Sequence, residues 1–192
     1  MSATRAWVLA AGLAAAVPGT ALLAGEAWIA AKARVAEVCI ARAYEAHRRD
    51  GRDHRPWSWA DTTPIARLAV ARLGVRRIVL AGASGSSLAF GPGHLDGSAP
   101  PNGPGTCVLA GHRDGAFAFL AALVAGDVVE VETHGRTRRY RVRELAVRSM
   151  WDLDVLAMTG EDRLVLVTCY PFGGPTRSAW RYVVICDPTP FG

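Results

Sequence analysis

LVLVTCYPFGGPTRSAWRYVVIC, residues 164–186, decides how the rest of the chain is read. It opens on an apolar, β-branched run, Leu164–Thr168, with the composition of a buried strand. Cys169 stands where that run stops, and Tyr170-Pro171-Phe172-Gly173-Gly174-Pro175 then forces a loop. Trp180–Ile185 returns as a second strand, entered by Arg181. The pattern predicts Cys169 at a strand's end on the rim of a sheet, with Arg181 starting the neighbouring strand. A cysteine at such a junction is more often a small buried hydrophobe than a nucleophile, so chemistry there needs a base.

The stretch built to supply one is Thr106–Asp114, TCVLAGHRD. Cys107–Ala110 reads as a short apolar strand that ends in Gly111 and then His112. A neutral imidazole at that edge can take a thiol proton or pair with a thiolate, and later protonate a leaving amine. A guanidinium nearby can hold an oxyanion or a substrate carbonyl without losing its charge. Cysteine, histidine and arginine at the ends of neighbouring strands make one coherent site. The competing reading is a histidine bonded in a turn, an arginine on a solvated face and an inert thiol.

AGHRD, LVTCYPF and RYVV together resemble the sortases, membrane-bound cysteine transpeptidases of bacterial surfaces, and most closely the Gram-negative type termed class GN. The resemblance implies a catalytic trio of His112, Cys169 and Arg181 and an eight-stranded β-barrel with short helices, preceded by an N-terminal transmembrane and stalk helix. It extends to AWIAAKA (27–33), PWSWADTTPIARL (56–68) and LAFGPGH (88–94). It further implies a substrate protein ending in an LPxTG-like signal, an amine acceptor, no cofactor, and a single-pass protein of the bacterial inner membrane with its catalytic domain facing the periplasm. Gly115-Ala116 depart from the Thr-His-like pair expected after the histidine, and Arg177 in the Cys169 loop rivals Arg181. Two alternatives stand beside this reading: another exported cysteine hydrolase or L,D-transpeptidase, and a non-catalytic envelope binding domain.

Composition bounds the rest. Apolar residues make up 51% and charged residues 20% of 192, which excludes a disordered chain and suits one domain. The net charge of +5 comes from arginine, since Lys32 is the only lysine. It suits an anionic surface and is too diffuse for nucleic acid. Cys39, Cys107, Cys169 and Cys186 contain no CxxC, so neither a zinc knuckle nor a redox pair is signalled, and no acidic cluster suggests a metal. Cys107 and Cys186 read as core thiols.

Along the chain, Ala6–Gly25 is a charge-free stretch of membrane-spanning length weakened by Pro18-Gly19, with a cleaved signal peptide as the rival reading. The expected divisions are an anchor over 1–25, a stalk helix and linker over 26–55, and a catalytic barrel over 56–192. From Ile65 onward the pattern turns to β, with Arg76–Ala81 and Ser87–Phe90 reading as short strands. His94, in a GPGH turn, is a second candidate at the substrate site, with local hydrogen bonding as the plainer reading. Ala116–Val124 reads as a short buried helix, and Trp151–Met158 as a helical connection. Val128–Thr133 and Arg136–Ala146 alternate on either side of His134-Gly135, a hairpin that sets Glu130 opposite Arg139 and Val129 opposite Tyr140. Arg139, Arg141 and Arg143 then share an outward face.

Overall fold

The computed structural model describes residues 3–151, 161–174 and 178–189, and the side chains of residue 25 and of 28 onward within them. One helix, α1 (Ala3–Asp50), opens the chain. By compactness the chain divides into Met1–Val38 and Cys39–Gly192. In the first unit Arg34 pairs with Glu37 at 3.0 Å, and Lys32 Nζ lies 4.8 Å from the centroid of the Trp28 ring. Among the described residues no helix is long and apolar enough to cross a membrane. The expected span 6–25 falls on residues whose side chains, residue 25 apart, lie outside the described ones.

The second unit is a closed barrel. Its strands are β1 (Pro64–Val70), β2 (Val75–Ala81), β3 (Gly93–His94), β4 (Thr106–Ala110), β5 (Val128–Thr133), β6 (Arg136–Ser149), β7 (Arg163–Tyr170) and β8 (Trp180–Pro188). They close in the order β1-β2-β3-β4-β7-β8-β6-β5, so no edge is left to template aggregation. Alternation sorts the side chains. In β1 every second residue, Ala66, Leu68 and Val70, is buried in the interior with Val79, Leu109 and Leu166. The opposite face of β4, β7 and β8 carries a smaller apolar cluster of Val108, Val165 and Val183, with Leu95, Val167 and Ile185 packed against it.

Turn chemistry sets the corners. Gly74 ends the 3₁₀ turn Ala71–Leu73 at φ 63°, a left-handed conformation that suits glycine. The β5–β6 hairpin turns at His134-Gly135 in the expected register, with Glu130 opposite Arg139 and Val129 opposite Tyr140. Arg139, Arg141 and Arg143 are exposed; Arg139 is paired with Glu130 at 2.8 Å and Arg143 with Asp187 at 3.4 Å. The last part of α1 belongs to the barrel unit: Ile40, Ala43 and Tyr44 are buried, and the Tyr44 hydroxyl donates to the Glu132 carbonyl at 3.1 Å.

Two expectations are corrected. Ser87–Phe90 is not a strand; a helical turn, α2 (Gly85–Leu88), occupies its start. Its serines bond outside the segment: Ser86 Oγ donates to Asp61 at 2.7 Å and Ser87 Oγ to the Ala81 carbonyl at 3.2 Å. Those bonds outweigh the weak alternation of Leu88 and Phe90. Cys169 does not follow its strand but lies inside it, because β7 runs on to Tyr170. The helical connection expected over Trp151–Met158 lies, beyond Trp151, outside the described residues.

Candidate active site

β4 and β7 run parallel, from Thr106 opposite Arg163 to Ala110 opposite Val167. The Gly111 N–H donates to the Val167 carbonyl at 3.1 Å, which carries the register one step beyond β4. His112 and Cys169 each stand two residues past the Ala110–Val167 pair. Alternation gives Cys169 the outer face of β7, shared with Val165 and Val167, while Leu164 and Leu166 fill the interior. On the other side of β7, Cys169 is the direct cross-strand partner of Arg181 in β8. Three adjacent strands therefore bring the three residues to one end of the barrel, above the small apolar cluster.

A cleft of about 310 Å³ is lined by His112, Arg113, Asp114, Gly115 and Cys169. His112 is exposed and Cys169 half-buried, so ring and thiol share access from solvent. The backbone under His112 is fixed by packing. A Cβ at Gly111 would fall 2.7 Å from the Phe117 ring, so only glycine lets the strand end pass over that buried aromatic. The His112 carbonyl accepts from Gly115 N–H at 3.2 Å and Phe117 N–H at 3.0 Å, which curls the chain away into the 3₁₀ turn Ala118–Ala122. The departures Gly115-Ala116 fall in this curl.

Arg181 is half-buried, and its Nη1 donates to the carbonyls of Ser178 at 2.8 Å and Trp180 at 2.9 Å. Those bonds hold the guanidinium beside its own strand. His94 lies on β3, where its Nε2 is 2.9 Å from the Ala99 carbonyl and 3.0 Å from Ser98 Oγ. It is absent from the lining of the cleft. Arg177, the rival arginine, lies outside the described residues. No group of three His, Cys, Asp or Glu among the described residues converges to hold a metal ion.

The other thiols differ from Cys169 in their surroundings. Burial pushes the Cys107 thiol up to about 12, and burial with the nearby Asp187 carboxylate does the same to Cys186. All four cysteines are free thiols. Sequence reading missed two contributors. Thr168, buried beside the cysteine, donates its hydroxyl to the Gly111 carbonyl at 2.7 Å. Arg113 is buried as well, and donates Nη1 to the Pro171 carbonyl at 2.7 Å and Nη2 to the Gly174 carbonyl at 2.6 Å. Thr168 was signalled by a polar letter on the buried phase of an apolar strand; Arg113 carried no signal, since an arginine beside a histidine reads as solvated.

The sortase-domain family model matches residues 68–189, from the middle of β1 to the end of β8. This chain belongs to the sortase family. It is 26% identical over 118 residues to Sortase D of Bacillus subtilis, a match over 61% of this chain and 60% of that protein's length. Among solved structures, a Clostridium perfringens Sortase D5 transpeptidase superposes with a TM-score of 0.61 at 27% identity, over 67% of this chain and 80% of that one. Sortase C-1 from Actinomyces oris gives 0.60 at 31% identity, over 67% and 74%. The barrel of this sortase domain thus matches the sortase fold.

Proposed function

We propose that this sortase domain is a cysteine transpeptidase in which Cys169 is the nucleophile, His112 the acid and base, and Arg181 the holder of the oxyanion. The observation that supports it is the shared register: His112 just past β4, Cys169 near the end of β7 and Arg181 near the start of β8 stand at one end of three neighbouring strands. The Cys169 thiolate attacks a peptide carbonyl, and a C–S bond forms. The C–N bond breaks as His112 gives its proton to the departing amine, leaving a thioester. A second amine loses a proton to His112 and attacks the thioester; a new C–N bond forms and the thiolate is released. Arg181 stabilises the oxyanion of both tetrahedral stages, a task suited to a donor fixed beforehand by its strand.

The substrate is an exported protein with an LPxTG-like C-terminal signal, and the acceptor is an amine. Ala6–Gly25 anchors the chain in the inner membrane, with the barrel on the periplasmic side. Assignment to class GN rests on AGHRD, LVTCYPF and RYVV. The test is steady-state turnover of an LPxTG-like peptide with an added amine. Transfer product is expected from the wild type and none from Cys169→Ala. Arg181→Ala is expected to lose at least about 100-fold in rate, the size of losing one preorganised oxyanion donor. Arg181→Lys recovers little, because a point charge does not reproduce the planar fork. Transfer by Cys169→Ala at the wild-type rate would refute the reading.

A further inference from the structure

We infer that Arg113 is a positioning residue: it fixes the turn that follows the nucleophile onto the strand end that carries the base. The inference rests on the reading of Cys169 and His112 given above. Arginine is almost never fully buried unless its donors are satisfied, because desolvating the charge is costly. Here the side chain is 4% exposed, and its partners are specific. Nε faces the Asp114 carboxylate at 3.2 Å, but Asp114 is 68% exposed, so solvent screens that pair. The two Nη groups reach the carbonyls of Pro171 and Gly174.

Those two carbonyls are the ends of one tight turn, closed by the Gly174 N–H donating to the Pro171 carbonyl at 3.2 Å. A planar fork with two parallel donors spans both ends at once, which a single-point ammonium does not. The turn itself is close-packed, since a Cβ at Gly174 would stand 2.5 Å from Pro171 Cγ. Arg113 thus grips the turn as a unit, one residue past Cys169's own neighbour Tyr170.

The grip has a counterpart on the other side. Thr168, the residue before Cys169, is bonded to Gly111, the residue before His112. Arg113, the residue after His112, is bonded to Pro171, two residues after Cys169. Base and nucleophile therefore lie between two ties that join the same two chain segments, one on each side. Such a frame sets the separation of imidazole and thiol, and the position of the cleft wall, before any substrate arrives. A misplacement of about 1 Å in such a site can cost about 100-fold in rate.

The experiment compares wild type, Arg113→Lys and Arg113→Gln by peptide transfer kinetics, by the rate of Cys169 alkylation with a small iodoacetamide reagent, and by melting temperature. Both variants are expected to lose about 10- to 100-fold in kcat with KM within about 3-fold, because alignment rather than affinity is lost. Alkylation, run at about pH 10 where an accessible thiol ionises without help from a base, is expected within about 2-fold of wild type, since a small reagent needs no cleft wall. Should Arg113→Lys fail to fold, Arg113→Gln carries the same comparison. In the wild type itself, the Arg113 Nη protons are expected as resolved, slowly exchanging nuclear magnetic resonance signals. A lowered melting temperature with unchanged kcat would make Arg113 merely structural and overturn the inference. Alkylation falling in step with kcat would overturn it too, by locating the effect on the thiol. Rapidly averaged Nη signals would remove the clamp. Loss of kcat only in Cys169→Ala would leave the transpeptidase reading standing while the Arg113 inference falls; a wild type without transfer would overturn both.

Discussion

Four thiols of one residue type occupy three kinds of surroundings. Cys107 and Cys186 are sealed in the barrel, where burial keeps them protonated far above neutral pH. Cys169 opens onto the cleft beside His112, and Cys39 is half-buried on α1. Thiolate is the reactive species, so alkylation of the native protein discriminates among them. In a Cys39→Ala background, brief treatment at neutral pH is expected to label Cys169 alone, read by peptide mass spectrometry. Labelling of Cys107 or Cys186 at a comparable rate would contradict the burial assigned to them. The cysteine, histidine and arginine were legible because each stands beside a glycine or at the edge of an apolar run, where a polar letter breaks a pattern. Arg113 was not, because its partners are backbone carbonyls of a loop far along the chain, and carbonyls have no letter in a sequence.

At the scale of elements, a fork between two short segments pins one corner of the barrel. Arg72, in the turn Ala71–Leu73, donates Nε and Nη2 to the Asp127 carboxylate at 2.5 and 2.6 Å. Asp127 also accepts the Val124 N–H at 2.9 Å, which closes the turn before β5. The Arg72 bonds, opposed by burial and helped by the Val124 N–H, hold the Asp127 carboxyl below the usual carboxylate range. A carboxyl whose folded value is depressed contributes stability above its unfolded value, about 4, and that contribution is lost as pH falls through the folded value. Melting temperature is therefore expected to fall between about pH 4 and lower pH, with a shallower fall in Asp127→Asn. Arg72 is half exposed, so solvent screens the pair and its removal to Ala is expected to lower the melting temperature only slightly at neutral pH. An acid limb of the same steepness in Asp127→Asn would show that other groups carry it. The β5–β6 hairpin was legible to its register from strict alternation about His134-Gly135. The turn at Gly85–Leu88 was not, since four residues with two serines carry no period and their bonds reach Asp61 and Ala81.

For the whole molecule, local pattern reaches strands and hairpins but not the closure. The pairs β2 with β3, β4 with β7 and β6 with β8 join segments far apart or parallel, and no turn between them announces the partner. Barrel closure came from resemblance, and the observed strand order supplies what periodicity lacks. The compact unit also begins earlier than the β pattern, at Cys39, because Tyr44 is buried against the barrel and bonded to Glu132. A chain beginning at Cys39 is expected to melt within a few degrees of one beginning further upstream. A chain beginning at Arg55, which strips Ile40, Ala43 and Tyr44, is expected to melt lower by roughly 10 °C or more, since burial of one large side chain is worth about 1.5–3 kcal/mol. Equal melting of the two chains would show that the helix end adds nothing.

In the proposed mechanism one sulfur, Cys169 Sγ, carries the acyl group between two amines. The most direct measurement is mass spectrometry of the protein mixed with an LPxTG-like peptide and no added amine, followed by digestion to locate the adduct. A thioester is expected on the peptide containing Cys169, discharged when an amine is added, absent in Cys169→Ala and slow to form in His112→Ala. An adduct on Cys39, Cys107 or Cys186, or peptide turnover that persists in Cys169→Ala without any adduct, would contradict it.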